Sequence, residues 1–330
     1  MRKRLWMTLL AAACGSDVAA PALAADAPAG AFSLQFENDI FFDTDQHYSS
    51  GVALDYTTAP QDTPRWLANF AHHLPFFGSH GDVRTDYQIA QNIFTPANTS
   101  VAVPDPNDRP YAGYLYLGLG LLSNGERHLD QAQLQLGVVG PASLAEDSQN
   151  WVHGIIGDAK ALGWHYQLHN EPIANLFYER SWKLIPPRSV FGLFFDLEPH
   201  AGFAVGNAYD YVNAGAMARV GINLPDDFGP PRLEPSLPGS NFFEPNGALS
   251  AYLFAGADGR AVGRNIFLDG NSFETSRSVD KRILVGDVQI GAAVQLGGTR
   301  LSFTHVFRSK EFDTQRSADQ FGAVSLSFRL

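Results

Sequence analysis

The chain has almost no cysteine and no long apolar run. Its 330 residues hold a single Cys, Cys14, which falls inside the N-terminal leader, so the mature chain offers neither an internal disulfide nor a thiolate nucleophile. After the leader, no apolar stretch approaches the ~20 residues that a membrane-spanning helix requires. If the protein crosses a membrane, it does so with strands. Charge is also scarce, at 17% of residues, and positive charge is the scarcer sign. The leader carries Arg2, Lys3 and Arg4 against Asp17, a net +2, so its removal takes the formal charge from −11 to −13. Nucleic acid is a poor partner for such a chain, because phosphate binding rests on Lys and Arg density.

What is present begins with export. Met1 to Arg4 is basic, Leu5 to Ala13 is a short apolar run, and Ala22-Leu23-Ala24 supplies the small residues of a cleavage site. We expect residues 1–24 to be a signal peptide and 25–330 a single domain, since no linker-like break in composition divides them. Aromatic residues make 12% and glycines number 31, a balance suited to a barrel with aromatic girdles.

Period-2 alternation recurs along the chain. Phe32, Leu34 and Phe36 alternate with Ser33, Gln35 and Glu37, and Val52, Leu54 and Tyr56 with Ala53, Asp55 and Thr57. In the segment Gln131 to Val138, three glutamines (Gln131, Gln133, Gln135) share one side and apolar residues the other. A soluble sandwich buries the apolar side; a membrane barrel turns it to lipid and the glutamines to the lumen. Further strands are expected near 84–94, 111–122, 172–184, 189–205, 209–222, 248–258, 282–296, 300–310 and 320–330. The last alternates to the end, with Val324, Leu326, Phe328 and Leu330 on one side. The expected fold is an all-β, transmembrane antiparallel β-barrel of about twelve strands, closed so that no edge is left unpaired in lipid.

Two stretches break the rhythm. Residues 224–247 are proline-rich and read as a long surface loop. After Gly140-Pro141, Ser143 and Glu146 have the spacing of a capping box. The helix they open is expected at one rim, with Gln149, His153, Ile156 and Lys160 on one face and Leu144, Trp151, Val152 and Ile155 as apolar anchors elsewhere.

Several short motifs then carry a family resemblance. They are Phe36-Glu37-Asn38-Asp39, His47-Tyr48-Ser49-Ser50-Gly51, Ile89-Ala90-Gln91-Asn92-Ile93, Asp108-Arg109-Pro110-Tyr111, Gln149-Asn150 through His153-Gly154, Arg264 to Asn271, and Thr304-His305-Val306. In order and number they resemble the outer-membrane lipid A 3'-O-deacylases. The resemblance implies a twelve-stranded barrel in the outer membrane of a Gram-negative bacterium. It would remove 3'-acyl chains from lipid A of lipopolysaccharide in the outer leaflet, among the membrane lipids, with dependence on a divalent cation, usually calcium. Carried over by position, His153 matches the catalytic histidine, Asn38 and Asp39 the paired polar residues, Ser49 the hydroxyl residue and Gln149 the glutamine one turn before the histidine. The chain departs from the characterised enzyme of that family in one loop, where Ala97 to Pro104 contains no lysine.

These residue types suit ester hydrolysis. Histidine is the side chain whose unperturbed pKa of ~6.5 provides a base near neutrality. A hard cation takes carboxylate and amide oxygens, which Asp39 and Asn38 offer. Each piece also has a plain structural reading: Asn38-Asp39 and Ser49-Ser50-Gly51 as turn residues, His153 as a helix-surface histidine, and Asp108 to Tyr111 as a strand start held by an ion pair and a girdle tyrosine. Two other functions fit the pattern. Alternation places His47 and Ser49 on one face, as an outer-membrane phospholipase with a serine nucleophile requires. A non-enzymatic barrel is the other, with lumenal glutamines, Phe177 and Glu179 filling its interior.

Overall fold

A computed structural model describes residues 28–330 except 43–46, 75–76, 78–80, 126 and 234–238. The expected leader, residues 1–24, lies outside the described residues. The strands are β1 (Ala31–Asn38), β2 (His47–Thr57), β3 (Asp82–Thr95), β4 (Ala112–Asn124), β5 (His128–Val139), β6 (Glu171–Trp182), β7 (Ile185–Val190), β8 (Leu193–Gly206), β9 (Tyr209–Ile222), β10 (Leu249–Asn265), β11 (Leu284–Leu296), β12 (Thr299–Arg308) and β13 (Asp319–Arg329). Consecutive strands pair antiparallel, except that β6 and β7 both pair with β8. The sheet closes where β1 meets β13, from Ala31↔Arg329 to Asn38↔Gly322.

The barrel has twelve staves. Asn175 to Ser181 of β6 pair with the far half of β8, and β7 pairs with its beginning, so β6 and β7 are one wall strand interrupted at Lys183-Leu184. Outward positions are apolar and exposed, among them Leu34, Leu54, Ile89, Leu117, Leu134, Leu253 and Ile290. Inward positions are polar and buried: Ser33, Gln35, Asp55, Gln88, Gln135 and Gln289. Polar inside and greasy outside is the pattern of a wall standing in lipid, where every backbone group must be paired within the protein. Both ends of the described chain lie at one end of the barrel. The opposite end carries the long connections 96–111, 140–170 and 266–283, and is the extracellular one.

The proline-rich segment is not a surface loop. The segment between β9 and β10 lies at the terminal end, and its described residues, 223–233 and 239–248, fold back into the lumen, burying Phe228, Phe242 and Phe243. Inward-facing charges on the wall explain this, because each needs a partner away from water. Asp227 pairs with Arg219 of β9 and Arg300 of β12, Arg232 with Glu37 of β1, and Glu244 with Arg84 of β3. Arg84 and Arg300 also lie over the rings of Phe242 and Phe243, at 4.6 and 4.7 Å. At the extracellular half, Tyr48, Phe94, Tyr114, Tyr209, Phe267 and Phe321 form an aromatic layer, in which Phe94 and Phe267 stack at 4.1 Å. A polar cavity of ≈ 190 Å³, bordered by Gln88, Gln133, Phe177, Glu179 and Asn241, lies between them. Plug and aromatic layer, as far as the described residues go, occupy both halves of the lumen that a passive pore would need open.

Two helices lie outside the wall. The helix α1 (Arg65–His73), at the terminal end, buries Ala71 beside Phe77 and Val83. Nearer the extracellular end is α2 (Ala145–Ile156), and a single turn, α3 (Ile266–Asp269), sits buried in the aromatic layer.

Candidate active site

The first polar pair comes from the top of β1. Asn38 pairs with Ser50 across the ladder, and Asp39 opens a 3₁₀ turn, Asp39–Phe42. The Ile40 N–H donates to Asn38 Oδ1 at 2.7 Å, an Asx turn of the kind these residue types favour.

A bulge places Ser49. Pairing with β3 runs Tyr48↔Phe94 and then Ser50↔Ile93, so Ser49 is the extra residue. An extra residue re-aims the side chains around it. Tyr48 consequently turns inward while Ser49 turns to the outer surface, where its Oγ lies 2.6 Å from Thr95 Oγ1. The shared face expected of His47 and Ser49 is therefore not formed. His47, in the left-handed region at φ 62°, sits instead among the rim loops, with Nδ1 2.6 Å from Asp319 and Nε2 3.5 Å from Asp108.

The helix α2 roofs this spot from the lipid side. Gly113 belongs to the outward set of β4, and a Cβ there would stand 2.1 Å from Ser143 Oγ and 2.2 Å from Ala145 Cβ. Only a glycine lets the helix start come so close. Gln91, outward on β3, donates to the Ser143 carbonyl at 2.6 Å. The capping box read from Ser143 and Glu146 does not form. Ser143 Oγ donates back to Gly140 O at 2.6 Å, Leu144 at φ 60° begins the helix, and Glu146 is exposed. The helix stops at Gly157, φ 77°, so Lys160 lies beyond it. Of the four expected apolar anchors only Val152 turns to the wall; Leu144, Trp151 and Ile155 are exposed on the far side.

The turn at Gly157 brings the Ala159 carbonyl to 2.6 Å from His153 Nδ1. A carbonyl can only accept, so Nδ1 carries the proton and Nε2 holds the lone pair of the neutral ring. One turn earlier, Gln149 Oε1 accepts from Trp164 Nε1 at 2.9 Å. An indole can only donate, which fixes that amide's orientation. Trp164 is held in turn by Tyr111, 4.9 Å away between ring centroids and fully buried rather than in a girdle. Arg109 of the same segment pairs with Glu311 at 3.2 Å.

All five residues singled out in the sequence line one pocket of ≈ 350 Å³: Asn38, Asp39, Ser49, Gln149 and His153. Sequence reasoning missed Ser50, Gln91, Ser148 and Asp158 as polar walls of the pocket. Gln91 had a signal, since it interrupts the outward row Tyr87, Ile89, Ile93. The apolar side is Phe36, Ile40, Val52, Ile93, Val152 and Ile156. The pocket thus lies on the outer wall, half polar and half greasy, at the upper edge of the lipid-facing belt.

Beside the pocket, the loop 96–111 hangs on Asp108. Burial pushes its carboxyl up, but His47 and the backbone N–H groups of Ala97 and Arg109 outweigh this and hold it below the ordinary carboxylate range. A depressed pKa stabilises the fold above the unfolded value of ~3.9, and the contribution is lost as pH falls through the folded value. Protection of the Ala97 amide, which donates to Asp108 at 2.8 Å, is therefore expected to be level across neutral pH and lost only below about pH 4. Amide exchange against pH measures this, and Asp108→Asn should remove the acid step.

Fold and site together define an outer-membrane barrel with a histidine-bearing pocket on its lipid-facing wall. The chain belongs to the family described as outer membrane protein LpxR, the outer-membrane lipid A 3'-O-deacylases, which it matches over residues 5–330. Among solved structures it is similar to LpxR from Salmonella typhimurium, with a TM-score of 0.74 and 21% identity over 91% of this chain and 100% of that one. The β domain of the Bordetella autotransporter BrkA aligns with a TM-score of 0.44 at 11% identity, covering 92% of this chain and 99% of that one. No curated protein sequence matches.

Proposed function

We propose that the protein hydrolyses the 3'-O-acyl ester of lipid A at this pocket. The observation that carries the reading is the placement of His153, with its lone-pair nitrogen fixed by the Ala159 carbonyl, in a pocket that meets the outer leaflet. His153 Nε2 takes a proton from water as the water oxygen bonds to the ester carbonyl carbon. The bond from that carbon to the sugar oxygen then breaks, and the imidazolium returns the proton to the leaving oxygen. The products are the fatty acid and the free sugar hydroxyl. Gln149, oriented by Trp164, presents its amide N–H groups as donors for the carbonyl oxygen, and Ser49 with Thr95 positions the sugar side. Phe36, Val52, Ile93, Val152 and Ile156 take the acyl chain.

The polar donors beside the histidine are almost all oxygens, which fits a hard cation such as calcium. Asp39, Asp158 and Asn38 Oδ1 would hold it. Among the described residues no group of three His, Cys, Asp or Glu side chains is arranged to hold a metal ion by itself, so amide, hydroxyl and water oxygens would complete the shell. When bound, the ion supplies a Lewis acid that polarises the ester carbonyl.

Mass spectrometry of lipid A from cells with and without the protein tests the reading. Loss of one ester-linked 3'-acyl group is expected, and unchanged lipid A in membranes holding the folded barrel would overturn it. Calcium chelation is expected to bring the reaction to background and added calcium to restore it. Full activity in chelator would remove the cation from the scheme.

A further inference from the structure

The helix α2 has a second face. Opposite Gln149 and His153, Trp151 and Ile155 are 69% and 65% exposed and share one stripe at a spacing of four, and Leu144, which caps the helix, is 57% exposed at its start. Nothing in the water-facing architecture accounts for a bare stripe of this kind, which includes one of the largest apolar side chains. Its position does. The helix rests on the outer side of the wall at Gly113 and Gln91. The rows below it, Tyr87 with Ile89 and Leu117 with Leu119, are the lipid-facing belt, so the stripe continues an apolar surface already committed to lipid. Asp147 and Asn150 border the stripe with polar groups, as in helices that lie in the plane of an interface, and tryptophan is enriched at that level.

We propose that α2 is an interfacial helix whose Trp151 and Ile155 stripe, with Leu144 at its start, inserts into the boundary between headgroups and acyl chains of the outer leaflet. Seated so, it sets the mouth of the pocket level with the ester groups of the surrounding lipid. A lipid then reaches His153 by sideways diffusion, with its acyl chains still in the bilayer. This consequence rests on the proposed hydrolase reading; the seating of the helix does not.

The test uses the full mature chain folded into phosphatidylcholine vesicles brominated near the headgroup end of the acyl chains. The emission that Trp151→Phe removes from the wild-type spectrum is expected to be blue-shifted, mostly quenched by the brominated lipid and insensitive to aqueous iodide. Quenching by iodide would place Trp151 in water and overturn the proposal. Shielding from both quenchers would mean that a second copy covers the stripe, which also overturns it. A second arm combines Trp151→Ser with Ile155→Ser, neither of which lines the pocket. Deacylation of lipid A in bilayers should fall by at least tenfold, as two apolar side chains lose their hold on lipid, while deacylation in detergent micelles stays near wild type. Equal losses in both media would show a merely structural role and overturn the proposal. If neither medium supports deacylation by the wild type, the hydrolase reading fails and the quenching result stands alone.

Discussion

Replacing His153 with alanine lowers lipid A deacylation by roughly 10²- to 10⁴-fold, the range that one general base contributes. The expectation follows from the geometry of α2. The imidazole hangs between helix and wall, donates to the Ala159 carbonyl at 2.6 Å, and takes no part in the strand ladder that closes the barrel. The folded state should therefore survive, read as resistance to detergent and a heat-dependent shift in gel mobility. His153→Gln separates the two tasks of the side chain. A glutamine amide can still donate to Ala159 but cannot accept a proton from water, so this variant should be as inactive as the alanine. Recovery of most of the activity with glutamine would make His153 a positioning residue.

Replacing Arg219 with methionine is expected to cost about 3–5 kcal/mol of stability, the scale for removing one partner of a buried ion pair. Arg219 is fully buried on the inner face of β9, with Nη2 2.7 Å from Asp196 and 3.0 Å from Glu198, and it also pairs with Asp227. Arg300 continues to pair with Asp227 at 2.5 Å, but Asp196 and Glu198 lose the guanidinium they share. Methionine keeps much of the apolar stem, so the loss reports charge rather than volume. The urea midpoint of the folded barrel should drop. Because Asp227 anchors the lumenal segment, the variant should also show ion conductance in planar bilayers where the wild type shows little. An unchanged midpoint would mean that the remaining cations suffice.

The wall was legible because lipid and lumen impose opposite chemistry on alternate residues, as Leu34 beside Gln35 and Leu134 beside Gln135 show. Those strands appear within a few residues of where the alternation puts them. β10 runs further, to Asn265, because its alternation continues through small and charged residues such as Gly259 and Arg260. The lumenal plug was not legible. Proline and glycine mark 224–247 as irregular but carry no information about which side of the wall it takes, and its partners Glu37, Arg84 and Arg300 lie far away in sequence. The bulge at Ser49 escaped for a different reason. One extra residue turns Ser49 outward and Tyr48 inward, and strict alternation through that point pairs His47 with Ser49 incorrectly. Asn38, Asp39, Gln149 and His153 stood out through family resemblance, since turn residues and a helix histidine have ordinary explanations. Their convergence on one pocket depended on contacts no local pattern encodes, such as Gly113 against Ala145.

The plug has a consequence for how the chain reaches its native state. Its partners include Glu37 on the first strand and, through Glu244, Arg329 on the last at 3.3 Å. Those two strands meet only when the seam between Ala31–Asn38 and Asp319–Arg329 has zipped. The segment therefore cannot be fully seated before closure, and once the seam is shut the aromatic layer leaves it only the terminal end by which to enter. Docking and closure are expected to behave as one cooperative kinetic step, because the long-range contacts that reward each are shared. A chain that stalls with its seam open would present a polar lumen, an unsatisfied run of buried charge and two bare strand edges together, the form of the molecule most prone to aggregate before it reaches the membrane.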